Sequence, residues 1–104
     1  MIARIWHGWT KPEDADAYEA HLRPELLPGV SRMKGFQGSY LLRREAGDDV
    51  EFMTILLWDS IDGIKAMAGE NYEVAMIPPE RQKYLKRFDA KAAHFEVVER
   101  RTTG

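Results

Sequence analysis

His7, His21 and His94 are the side chains of this sequence whose ordinary pKa lies near neutrality. Proton transfer at physiological pH would fall to them first. No two of them have the spacing of a metal site. His94 is the first catalytic candidate, with Glu96 on the same strand face to orient it, and His21 is the second. His7 and His94 lie on strands that the expected topology makes neighbours, so they could approach each other. Trp6, Tyr18, Trp58 and Tyr72, with Asn71 beside the last, form the other telling group. Aromatic walls with a few polar groups at the rim are the usual make-up of a small-molecule cleft. These five are the candidate substrate-binding residues, although large aromatics also dominate cores. Arg4 needs a partner if its strand is central. Glu51 and Glu96 are its candidates, and a structural ion pair is expected because buried charge has to be paired.

Several chemistries are excluded. The chain has no cysteine, hence no disulfide, zinc thiolate site or cysteine nucleophile. It has no Gly-rich phosphate loop, no H-E-x-x-H and no G-x-S-x-G. No cofactor and no metal site are expected. Fifteen basic and seventeen acidic residues leave a net charge of −2, which does not favour a nucleic-acid partner. The apolar strings are far shorter than the ~20 residues of a membrane span, and the N-terminus lacks the order of a signal peptide. A cytoplasmic protein without membrane association is the expectation.

The elements that position these groups follow from periodicity. One domain over residues 1–104 is expected, 44% apolar and 11% aromatic. Residues 2–9 read as a first strand. Pro12 and Glu13 suit the first turn of a helix whose apolar stripe is Ala15, Tyr18, Leu22 and Leu26, ended by Pro28-Gly29. Residues 36–44 and 50–58 read as a hairpin around a polar turn at 46–49. Asp59-Ser60 caps a second helix with Ile61, Ile64 and Met67 inward, and Gly69 ends it. Residues 71–76 and 80–86 suit short helical turns around Pro78-Pro79. A last strand lies within 88–100, clearest at 94–99, and 102–104 is a tail. The order β, α, β, β, α, β predicts an α+β, ferredoxin-like fold with helices on one face of a four-stranded antiparallel sheet.

The third strand is apolar on both faces. Met53, Ile55 and Leu57 alternate with Phe52, Leu56 and Trp58, where a half-exposed strand would alternate apolar with polar. Helices cover one face only. A twofold partner pressed sheet to sheet is the economical cover for the other, and a C-terminal segment folded back is the alternative. A homodimer is therefore expected.

In its order of short motifs the chain resembles the antibiotic biosynthesis monooxygenase-type dimeric α/β-barrel family. The motifs are Arg4-Ile-Trp6-His-Gly-Trp-Thr10, Tyr18, Gly35-Phe36, Trp58-Asp-Ser, Gly69-Glu-Asn-Tyr72 through Pro78-Pro79, Phe88-Asp89 and His94-Phe-Glu-Val97. The resemblance implies a homodimer with a ligand cleft between sheet and helices in each subunit. It also implies a cofactor-free monooxygenase of aromatic or apolar small molecules, in which the substrate anion reduces dioxygen and the protein orients and desolvates it. Relatives that degrade haem use an Asn on the first strand and a Trp and a His on the second helix. Here the first strand has no Asn, and residues 61–76 have neither Trp nor His, which disfavours haem degradation. A non-catalytic ligand-binding or stress-related dimer, or an isomerase or cyclase on the same superfold, are the alternatives.

Overall fold

The computed structural model describes residues 1–25 and 27–103. Strand β1 (Ile2–Thr10) is followed by helices α1 (Pro12–Glu25) and α2 (Leu27–Ser31). The hairpin β2 (Phe36–Ala46) and β3 (Asp49–Trp58) comes next, then α3 (Ile61–Ala68) and α4 (Pro79–Gln82). Strands β4 (Leu85–Phe88) and β5 (Ala93–Glu96) close the chain. The sheet is antiparallel in the order β2-β3-β1-β4, with β5 also paired to β1. This is the expected ferredoxin-like α+β arrangement.

Local chemistry sets the boundaries. Pro12, Glu13 and Asp14 open α1, where the missing proline N–H costs nothing and the acids favour the positive end of the helix dipole. Pro28-Gly29 does not end the helical stretch as expected: both residues lie within α2, which runs to Ser31. Pro24 lies inside α1, where it has no N–H to bond back along the helix. The predicted stripe member Leu26 lies outside the described residues. The hairpin loop is tighter than the four-residue turn expected. β2 and β3 pair through Ala46 and Asp49, and Gly47, at φ +63°, supplies the positive φ that such short loops need first. Gly69, at φ +88°, ends α3 by donating its N–H to the Lys65 carbonyl at 2.7 Å. Residues 70–73 make a turn, closed by the Val74 N–H donating to the Asn71 carbonyl at 3.0 Å, and 75–78 have no regular structure.

The last strand differs most from its expected form. It is two short strands, both antiparallel to β1. Past Asp89, whose N–H still donates to the His7 carbonyl at 2.9 Å, the chain leaves β1 and bonds to the 73–75 segment. Ala92 N–H donates to the Glu73 carbonyl at 2.7 Å, and Ala75 N–H donates to the Ala90 carbonyl at 2.9 Å.

Alternation along β3 sorts its side chains. Val50, Phe52, Thr54, Leu56 and Trp58 face the helices and are buried. Two core clusters form there. Ala15, Tyr18 and Leu22 of α1 pack on Val50 and Phe52. Val30 and Ile64 pack on Leu56 and Trp58. Fully burying each large apolar side chain stabilises by about 1.5–3 kcal/mol.

The opposite face carries Tyr40 and Leu42 of β2, Met53 and Ile55 of β3, Ile5 and His7 of β1, and Phe95 of β5, matched by register. No helix covers it. The C-terminal segment brings the Arg100 guanidinium beside Gly38 and Leu57 at one end. Tyr40, Leu42 and Phe95 remain 52%, 45% and 56% exposed, so the tail does not cover the face. No helix of the described residues is long and apolar enough to cross a membrane.

Candidate functional site

Between the two core clusters the helices do not close on the sheet. Thr54, small for its place between Phe52 and Leu56, and the short Ala68 and Ala75 leave space there. The result is a cavity of about 230 Å³. Trp6 and Leu56 form its floor on the sheet, Tyr18 and Leu22 its wall on α1, Met67 and Ala68 its wall on α3. Ala75, Met76 and Ile77 form the rim. Arg4 and Arg81 are its charged lining residues.

Arg4 is buried at 8% exposure. Its Nη1 donates to the Tyr72 carbonyl and lies 2.9 Å from His94 Nε2. The expected ion pair with Glu51 or Glu96 does not form. Glu51 points to the other face of the sheet, where it bonds Arg44 at 2.9 Å. Glu96 is exposed, opposite Ile2. Burial lowers the Arg4 pKa.

His94 sits opposite Arg4 in the β1–β5 ladder. Its ring meets Tyr72 edge-on, with centroids 5.1 Å apart. Arg4 and Tyr72, rather than Glu96, orient it. Burial first, and the Arg4 charge second, lower its pKa from 6.5, while Glu73 acts the other way. The neutral imidazole is therefore the resident form at neutral pH, and it accepts from Arg4.

His7 is three residues along β1 from Arg4 and projects from the opposite face, so it does not approach His94. Asp89 holds it there, with Oδ2 2.8 Å from Nδ1 and 3.2 Å from the His7 backbone N.

Tyr18 is fully buried, and its hydroxyl has no partner among the described residues. Burial pushes its pKa up to about 12 against the opposing pull of the Arg81 charge, so it stays a protonated donor. His21, on the same helix, faces Tyr84, with centroids 5.5 Å apart, and lies 3.5 Å from Arg81 Nε. Trp6 is fixed by its indole N–H, which donates to the Asp89 carbonyl at 2.8 Å.

The fold thus brings Trp6 and Tyr18 into the cavity wall. Tyr72 and His94 stand behind Arg4, and His21 stands behind Arg81. Trp58 lies apart, fully buried against Phe36 under α3. Asn71 lines a separate surface pocket of about 350 Å³ with Glu70, Tyr72, Glu73, Val74 and Lys91. Sequence reasoning missed Arg81 and the rim at 75–77. The signal for the rim was Pro78-Pro79, which holds Ile77 extended. For Arg81 no comparable signal exists, because its approach to the cavity depends on how α4 docks.

No family model matches the chain, and no curated protein matches it. Solved structures do. A candidate antibiotic biosynthesis monooxygenase from Bacillus cereus superposes with a TM-score of 0.71 at 14% identity, over 100% of this chain and 97% of that one. A variant of MhuD, the haem degrader of Mycobacterium tuberculosis, has two manganese protoporphyrin IX molecules per active site. It superposes at 0.72 with 19% identity, over 99% of this chain and 100% of that one. SnoaB, a cofactor-independent oxygenase from Streptomyces nogalater, gives 0.52 at 16% identity, over 95% of each chain. The chain has the ferredoxin-like fold of the antibiotic biosynthesis monooxygenase structures.

Haem does not suit this site. The cavity lies below the about 300–1,000 Å³ of ordinary ligand pockets, and it fits one or two rings rather than a tetrapyrrole. Its lining includes no histidine among the described residues. Nor do the described residues hold a group of three or more His, Asp or Glu placed for a metal ion.

Proposed function

We propose that the protein is a homodimeric, cofactor-free oxygenase acting on a small aromatic or apolar molecule bound between sheet and helices, with residues 1–104 acting as one domain. The cavity carries this reading. It is apolar along Leu22, Leu56 and Met67, it has the flat ring of Trp6 in its floor, and its polar groups gather at the Arg4 and Arg81 ends. Trp6 and Tyr18 position the substrate. His94, kept neutral beside Arg4, takes a substrate proton at Nε2 once a bound oxygen has replaced that nitrogen as the acceptor for Arg4, and His21 is the alternative at the Arg81 end. Tyr72 supports the first site through Arg4. Trp58 supports the fold, and Asn71 stays at the neighbouring pocket. A substrate stripped of water and held against Trp6 is oriented for reaction with dioxygen without help from a prosthetic group. The exposed Tyr40, Leu42 and Phe95 favour a second copy as the cover of the open face.

A second reading, binding without turnover, is favoured by one observation: both candidate histidines stand behind the lining residues rather than among them. Incubation with naphthols under air and under argon separates the two. Oxygen-dependent product carrying label from ¹⁸O₂ is expected. Product formed equally under argon would reject the oxygenase reading in favour of an isomerase or cyclase. Saturable binding with no product under air would favour the binding reading.

A further inference from the structure

We infer that the cavity takes an apolar molecule carrying an oxyanion, and that Arg4 is the residue that meets that oxyanion. The inference rests on the reading of this cavity as a ligand site.

Arg43, Arg44 and Lys86 are surface cations, and each has a carboxylate within 3.1 Å. Such exposed pairs contribute little. Arg4 is the buried guanidinium, where an uncompensated charge costs most, yet among the described residues no carboxylate lies within ion-pair distance of it. Its partners are a backbone carbonyl and a neutral imidazole. Both use Nη1, and Nε and Nη2 bond to nothing among the described residues. A guanidinium offers a planar fork of donors suited to two oxygens of one anion.

The cavity as a whole agrees. Acids outnumber bases in the sequence, but among the described residues the lining has two arginines and no acid. An anionic ligand would supply the missing counter-charge at Arg4 while its apolar body lies on Trp6 and Leu56. The shared chemistry covers a carboxylate and a phenolate, and the test separates them.

Isothermal titration of the full chain would compare 2-naphthoate with its uncharged analogue 2-naphthamide. At mildly alkaline pH it would compare 4-nitrophenolate with 4-nitroanisole. The wild type is expected to prefer at least one anion over its neutral analogue by about tenfold or more, the range of a hydrogen bond to a charged group. The pair that shows the preference names the oxyanion. Arg4→Gln should bring that anion to within about twofold of its analogue, and Arg4→Lys should keep part of the preference. Wild-type discrimination needs no variant and stands even where Arg4→Gln fails to fold. Equal binding of anion and analogue by the wild type would overturn the Arg4 inference and leave the cavity reading intact. Undiminished anion preference in Arg4→Gln would do the same. Absence of binding by all four probes would overturn both.

Discussion

The two faces of the sheet are built from the same strands and meet opposite fates. On the helix side, Phe52 and Trp58 are within 1% of complete burial, and Tyr18 meets Phe52 edge-on with centroids 4.8 Å apart. On the other side, Tyr40, Leu42 and Phe95 are about half exposed, and His7 is tied down by Asp89. The side-chain types are similar. The covered face holds the subunit together, whereas the open face has apolar surface to spare for another body. Apolar alternation on both sides of β3 therefore describes two different tasks.

The sharpest break of this comparison is a pair of truncations. Phe52→Ala should destabilise the subunit by about 3–5 kcal/mol, since a filled core site becomes a cavity. Leu42→Asp should stay within about 0.5 kcal/mol for the isolated subunit, as surface changes do. It should also shift sedimentation from dimer to monomer. Urea unfolding at several protein concentrations measures both effects, and a large concentration-independent loss in Leu42→Asp would erase the distinction between the faces.

A smaller effect tests how tightly the covered face is packed. A methyl group on Gly63 would come within 2.7 Å of the Trp58 ring and 3.2 Å of the Lys34 carbonyl. Helix propensity alone favours Gly63→Ala by about 1 kcal/mol. The buried indole cannot retreat, so overpacking should reverse the sign and cost about 1–3 kcal/mol. A thermal melt that rises in this variant would show that the Trp58 site has slack.

The smallest effect concerns pH. The lowered pKa of His94 means that the unfolded chain holds this proton more tightly than the folded one. Its contribution to stability is complete above pH 6.5 and declines as the pH falls below that value toward the lowered folded pKa. His94→Asn should flatten this part of the stability profile, read from urea midpoints across mildly acidic pH. A slope identical to wild type would remove His94 from the buried group around Arg4.

Much of this architecture was legible in the sequence because it is periodic. β1 and β3 declare themselves through runs of β-branched and aromatic residues, the hairpin through its polar turn at 46–49, and the start of α1 through Pro12. What was illegible depends on contacts between distant segments. The split of the last strand is set by the pairing of residues 73–75 with 90–92, which no local pattern announces. The cavity comes from the modest size of Thr54, Ala68 and Ala75, residues unremarked along the chain and adjacent only after folding. Arg4 was visible as a charge in need of a partner. The partner it lacks became apparent only once Glu51 was seen on the far side of β1 and β3.

The gap between β4 and β5 gives the border of the sheet a second duty. For the length of the gap, the amides of Ala75 and Ala92 are spent on stitching the mouth of the cavity to the strand edge. A guest seated behind Met76 and Ile77 is held by some of the same backbone links that finish the fold. Occupancy and the soundness of that border rise and fall together, as linkage requires of any ligand that binds only the folded chain.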